Sequence, residues 1–177
     1  EPSSEASAAA GGAEDPPTVL TDARIGVQLG TTGDLYISDE IDAGTLGDAS
    51  ITQYNKGMEA VLALTQGKID AVVIDNEPAK VFVEENEGLK ILDTAYAEED
   101  YAICIAKDNT ELKDQFNQAI AELKEDGTLQ QLLDYYINGV EGAEPYTSPE
   151  GITYDGTLVM ATNAEFPPYG YHDSSSG

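Results

Sequence analysis

Short apolar runs alternate with stretches of helical spacing through the first half of the chain. Residues 24–29 (RIGVQL) form a compact apolar run, the pattern of a short buried strand. The run enters Gly30-Thr31-Thr32-Gly33-Asp34, a turn that opens a helix around residues 35–39. Residues 50–54 (SITQY) predict a second strand. Across 56–66, Met58, Val61, Leu62 and Leu64 recur at roughly helical spacing. Residues 69–74 (IDAVVI) predict a third, buried strand. Asp75-Asn76-Glu77-Pro78 then starts a helix running to residue 85, with capping residues ahead of a first-turn proline. Residues 89–92 predict one more short strand. Over 24–93, then, strand and helix alternate, which predicts a small, mostly parallel sheet with helices on its faces.

The second half is patterned differently. A polar break at 97–100 (AEED) precedes a strand at 101–106. Two helices follow, 110–124 and 128–137, separated by the stop signal Asp126-Gly127. Leu112, Phe116, Ile120 and Leu123 make an apolar stripe that reads as core. Residues 139–155 are a Gly-, Pro- and Glu-rich linker. Residues 157–162 (TLVMAT) predict a last strand, and 174–177 form a polar tail. At the other end, residues 1–17 read as a disordered leader, because 1–14 are too poor in apolar surface to fold. This composition suits a tether following a removed export signal. The triplet Gly12-Ala13-Glu14 recurs as Gly142-Ala143-Glu144, the one internal echo.

Composition narrows the function classes. The 177 residues suffice for one ordinary domain or two small lobes. With 34 acidic against 8 basic residues the formal charge is −26. Such a surface repels phosphate backbones and anionic lipid, which argues against nucleic-acid and membrane-surface binding. Arg24 is the one arginine, so any guanidinium fork on an anion must use it or come from elsewhere. The single cysteine, Cys104, lies in an apolar run and is expected to be a buried, inert thiol. No metal-ligand spacing and no membrane-length apolar stretch occur, and no cofactor is expected.

Three loops carry candidate chemistry. Gly30-Thr31-Thr32 joins a strand to a helix, where backbone N–H groups and hydroxyls suit a carboxylate. The alternative is a tight turn in which threonine simply caps the helix. Asp75 ends a strand at the sheet edge where α/β proteins place ligands, and there it suits an ammonium group. The alternative is helix capping ahead of Pro78. In Asn163-Ala164-Glu165-Phe166-Pro167-Pro168-Tyr169, Phe166 and Tyr169 offer an apolar wall, with Asn163 and Glu165 as polar contacts. The alternative is a proline-stiffened loop packed on its own lobe. His172, the single histidine, is expected to be solvated. No catalytic triad or acid–base pair can be assembled, Glu165 having no evident partner.

Taken together these segments resemble a known family. RIGVQLGTT (24–32), residues 54–80 (YNKGMEAVLALTQGKIDAVVIDNEPAK) and 101–137 resemble the second half of the bacterial polar amino-acid receptors of ABC importers, the family 3 solute-binding proteins. TLVMATNAEFPPYGY (157–171) resembles the beginning of the same family. The resemblance implies a fold like the type II periplasmic binding proteins, two α/β lobes closing on an amino acid that is passed to a membrane permease. It implies that Gly30, Thr31 and Thr32 receive the ligand carboxylate and Asp75 the amino group. Asn163, Glu165, Phe166 and Tyr169 would line the side-chain pocket. It also implies an extracytoplasmic location, as a periplasmic or tethered lipoprotein receptor that catalyses nothing.

Two departures from the family shape the remaining expectations. The segment resembling the family's start comes last, as in a circular permutant. The family's carboxylate-clamping arginine has no counterpart, since Arg24 matches the start of the lobe-two strand. The expected organisation is therefore a leader (1–17), a complete lobe (18–98), a hinge strand and helices of a partial lobe (99–138), a linker (139–156) and a first strand with its Pro-Pro loop (157–177). Such a form predicts weak or no amino-acid binding by the chain alone. A dimer or complementing chain is a second expectation, because an incomplete lobe exposes sheet edges. A dehydratase for small carboxylic acids on the same architecture is the remote third.

Overall fold

A computed structural model describes residues 16–154 and 156–172. Residues 1–15 of the expected leader and the tail at 174–177 lie outside the described residues. Pro16 and Pro17, assigned above to that leader, instead open a short helix, α1 (Pro16–Leu20). Proline has no amide hydrogen to lose in a first helical turn, and Leu20 is buried, so these two prolines belong to the fold. The chain divides after Glu98 into two compact units.

The first unit alternates strand and helix. Its elements are β1 (Arg24–Gln28), α2 (Thr32–Asp42), β2 (Ser50–Tyr54), α3 (Gly57–Thr65), β3 (Ala71–Val73) and α4 (Asn76–Glu85). The three strands form a parallel sheet in the order β2-β1-β3, with Ile25 of β1 facing Ile51 on one side and Ala71 on the other. β1 reads as a continuous apolar run because it is central and covered on both faces. Ile25 and Val27 pack with Leu20, Ile37 and Leu46. Each such side chain contributes about 1.5–3 kcal/mol when fully removed from water. Gly26 points the opposite way, where a Cβ would stand 3.5 Å from that of Ala60 on α3 and would collide with Ile69.

The predicted strand at 89–92 is irregular chain. Ile91 is exposed, and no partner strand reaches this segment among the described residues.

In the second unit, α5 (Thr110–Glu125) and α6 (Thr128–Tyr136) form as their patterns predict. Asn109 caps α5 by accepting a hydrogen bond from the Leu112 amide at 3.2 Å. Gly127, at φ 84°, makes the break between the helices. The stripe expected to be core is only half-buried, and neither helix has a fully buried residue.

The strands expected at 101–106 and 157–162 do not form. A strand is completed by a neighbour's hydrogen bonds, and among the described residues neither segment has a ladder partner. Their side chains are accordingly open: Val159 is 89% exposed and Met160 77%. Cys104 is exposed for the same reason, contrary to the buried thiol expected. The strands this unit does show are β4 (Glu165–Phe166) and β5 (Gly170–Tyr171), a small antiparallel hairpin around residues 167–169. Among the described residues no helix is long and apolar enough to cross a membrane.

Candidate functional site

The carboxyl ends of the first unit's three strands each lead, within a few residues, into a helix N-terminus. β1 feeds α2 at Thr32, β2 feeds α3 at Gly57 and β3 feeds α4 at Asn76. With β1 between β2 and β3, the chain leaves β1 toward β2 on one side and later reaches β3 on the other. The crevice at such a switch, between the ends of β1 and β3, is where open α/β sheets bind ligands. The Gly30-Thr31-Thr32 turn follows β1 and Asp75 follows β3, the two adjacent strands at this switch.

Local chemistry sets the turn. Gly30 has φ 76°, a left-handed conformation that only glycine adopts without strain. Its amide donates to the Asp34 carboxylate at 2.8 Å. The Thr31 amide and hydroxyl both donate to the Gln28 carbonyl, at 3.2 Å and 2.8 Å. The Thr31 hydroxyl oxygen also accepts from the Asp34 amide at 3.4 Å, so Thr31 caps α2. The donors of Gly30 and Thr31 are thus used inside the turn, and what faces an anion is the α2 terminus with its dipole.

Gly33 brings that terminus close to β3. A Cβ there would lie 3.1 Å from the Val73 carbonyl oxygen. Asp75 is half-buried and occupies the N-cap position of α4, but its side chain makes no capping hydrogen bond. Its carbonyl accepts from the Ala79 amide at 3.0 Å, as an N-cap residue should.

Two further polar side chains belong to this edge and were not singled out by sequence. Asp34 is 5% exposed. Besides the Gly30 amide, it accepts from Gln53 Nε2 at 2.7 Å and the Ser38 hydroxyl at 3.3 Å. The Gln53 amide, then the Gly30 amide and Ser38, hold its carboxyl below the usual carboxylate range although burial opposes this. Asp34 is therefore ionised at neutral pH. Gln28, 6% exposed, donates from Nε2 to the Asn55 carbonyl at 3.4 Å, while its buried Oε1 has no hydrogen-bond partner among the described residues. The signal for Asp34 is present in the sequence as Thr31-x-x-Asp34, the spacing of a capping box.

In the second unit, Asn163 Oδ1 accepts from the Glu165 amide at 3.0 Å, which sets the entry to the hairpin. Phe166 and Tyr169 lie stacked with ring centroids 6.2 Å apart, and Tyr101 tilts against Tyr169 at 4.7 Å. Glu165 and Tyr169 are exposed and Phe166 is half-buried. His172 is exposed. Among the described residues no cluster of three or more histidine, cysteine or acidic side chains is placed to hold a metal.

Comparison with known proteins gives a consistent result. The family model for bacterial extracellular solute-binding proteins, family 3, matches residues 34–139. The L-arginine-binding protein of Pseudomonas aeruginosa is 31% identical over 132 residues, covering 70% of this chain and 50% of that protein. A probable histidine-binding protein of Campylobacter jejuni is 39% identical over 119 residues, covering 64% and 43%. Among solved structures, a mutant of ArgBP from T. maritima superposes with a TM-score of 0.59 at 32% identity, covering 66% of this chain and 48% of that one. The fold is accordingly α/β and of the type II periplasmic-binding kind. The chain spans about half the length of the curated relatives it matches.

Proposed function

We propose, for a chain that belongs to the bacterial extracellular solute-binding proteins, family 3, that it captures a polar amino acid outside the cytoplasm for transfer to an ABC permease. The observation that carries the reading is the shared sheet edge, where the turn opening α2 follows β1 and Asp75, at the N-cap of α4, follows the adjacent strand β3. In this reading the positive end of α2, at Gly30-Thr31-Thr32, takes the solute's carboxylate. Asp75 takes its ammonium group. On the second unit, taken by itself, the rings of Phe166 and Tyr169, with Asn163 and Glu165 as polar contacts, suit an aliphatic stem ending in a cation. The acidic surface, with a charge of −26, also favours a cationic solute. Relatives named as arginine-binding support the same class.

The chain is read as a receptor because its family is one of solute-binding proteins. Isothermal titration against a panel of amino acids tests the proposal. Binding of a basic amino acid, lost on Asp75→Ala, is expected; no heat with any amino acid would overturn it. The open apolar run Leu158, Val159 and Met160 favours a second reading, in which the second unit associates with another polypeptide. A monomer by light scattering, with no binding of an apolar dye, would remove that reading.

A further inference from the structure

Asp34 is a buried carboxylate satisfied by neutral donors from three places: Gly30 in the turn, Ser38 one helical turn on, and Gln53 from β2. Among the described residues it forms no ion pair. Its position bears on the solute site. It lies at the third residue of α2, so the helix dipole that would attract a solute's carboxylate already holds an anion. Its bond to the Gly30 amide fixes the left-handed residue of the turn, and its bond to Gln53 anchors the turn to the neighbouring strand.

We propose that Asp34 is the positioning residue of the solute site, holding the Gly30-Thr31-Thr32 turn in the shape that receives a carboxylate. This rests on the amino-acid-binding reading above. Asp34 does not touch the solute; it acts through the turn.

The test compares the full chain with Asp34→Asn, Gln53→Met and the double variant D34N/Q53E. The double variant exchanges amide and carboxylate across the same hydrogen bond. Affinities are measured for a basic amino acid and for its carboxamide, which lacks the carboxylate. Asp34→Asn is expected to weaken the amino acid about 10- to 100-fold, the worth of one charge-assisted hydrogen bond. The carboxamide should change by less than about 3-fold, since it makes no demand on the turn. Gln53→Met should fall between, and the double variant should recover part of the loss. Amide hydrogen exchange at Gly30 reads the turn without any solute and should quicken about 10-fold in Asp34→Asn.

Equal losses for amino acid and carboxamide, or unchanged Gly30 exchange, would overturn the positioning role while leaving amino-acid binding intact. A parent chain that binds no amino acid would overturn the underlying reading instead. Should Asp34→Asn fail to fold, Gln53→Met decides, because Gln53 is exposed and its loss spares the core; an unchanged ratio between the two ligands would then overturn the proposal.

Discussion

Replacing Gly33 with alanine tests how closely α2 approaches the end of β3. The added Cβ would stand 3.1 Å from the Val73 carbonyl oxygen and 3.3 Å from its Cγ1. Comfortable contacts between carbon atoms lie at about 3.5–4.0 Å, so something must move by a few tenths of an ångström. Val73 is paired with Val27 in the sheet, which makes the first turn of α2 the part that yields. Two effects oppose each other. Alanine is the better helix former by about 1 kcal/mol in a helix interior, and by less in a first turn whose amides have no helical partners. Crowding a packed contact costs about 1–3 kcal/mol. Crowding should win, leaving a net loss of about 1 kcal/mol. Urea unfolding followed by circular dichroism would show this as a lower midpoint with an unchanged slope. Gly33→Val, with a branched side chain, should lose more. A Gly33→Ala variant more stable than its parent would show that the terminus has room and that helix propensity decides there. The close approach of the α2 terminus to β3 would then be refuted, and with it the placement of the turn beside the strand that leads into Asp75.

Two further outcomes follow from the same unit. Thr31→Val keeps the shape of the side chain and removes the hydroxyl that donates to Gln28 and accepts from Asp34; a loss of about 1 kcal/mol in urea unfolding is expected, the usual cost of a missing N-cap. At the opposite edge of the sheet, the Arg24 side chain and amide hold Asp70 at about 2. The unfolded value lies near 3.9, so this stabilisation is complete above about pH 4 and disappears as the pH falls toward 2. The parent's urea midpoint should therefore fall more steeply over that range than that of Asp70→Asn. The effect should be modest, because both side chains are about half exposed and solvent screens the pair. Parallel acid profiles for the two proteins would refute the assignment.

Residues 24–28, 101–106 and 157–162 have similar apolar patterns, yet only the first forms a strand. Their difference lies in partners. β1 is hydrogen-bonded on both sides, by β2 and β3, and covered by Ile37 on one face and Ala60 on the other. A pattern of apolar positions reports what a segment gains by burial; it does not report whether a neighbour exists to receive its backbone bonds. This is why the alternating part of the chain was readable and why the strands of the second unit, Cys104 among them, were misplaced. The same distinction separates the parts of the candidate site. Thr31 and Asp75 were visible because capping and strand-end signals are local, a few residues long. The Gly30–Asp34 bond is local too, and its spacing was there to be read. The bond from Gln53 to Asp34 was not, because it spans 19 residues and exists only once β2 lies parallel to β1 with Gln53 level with Val27. A carboxylate in a polar turn thus gains, through strand pairing, a third neutral donor and becomes a buried anion beneath the helix terminus where a solute's carboxylate is proposed to sit.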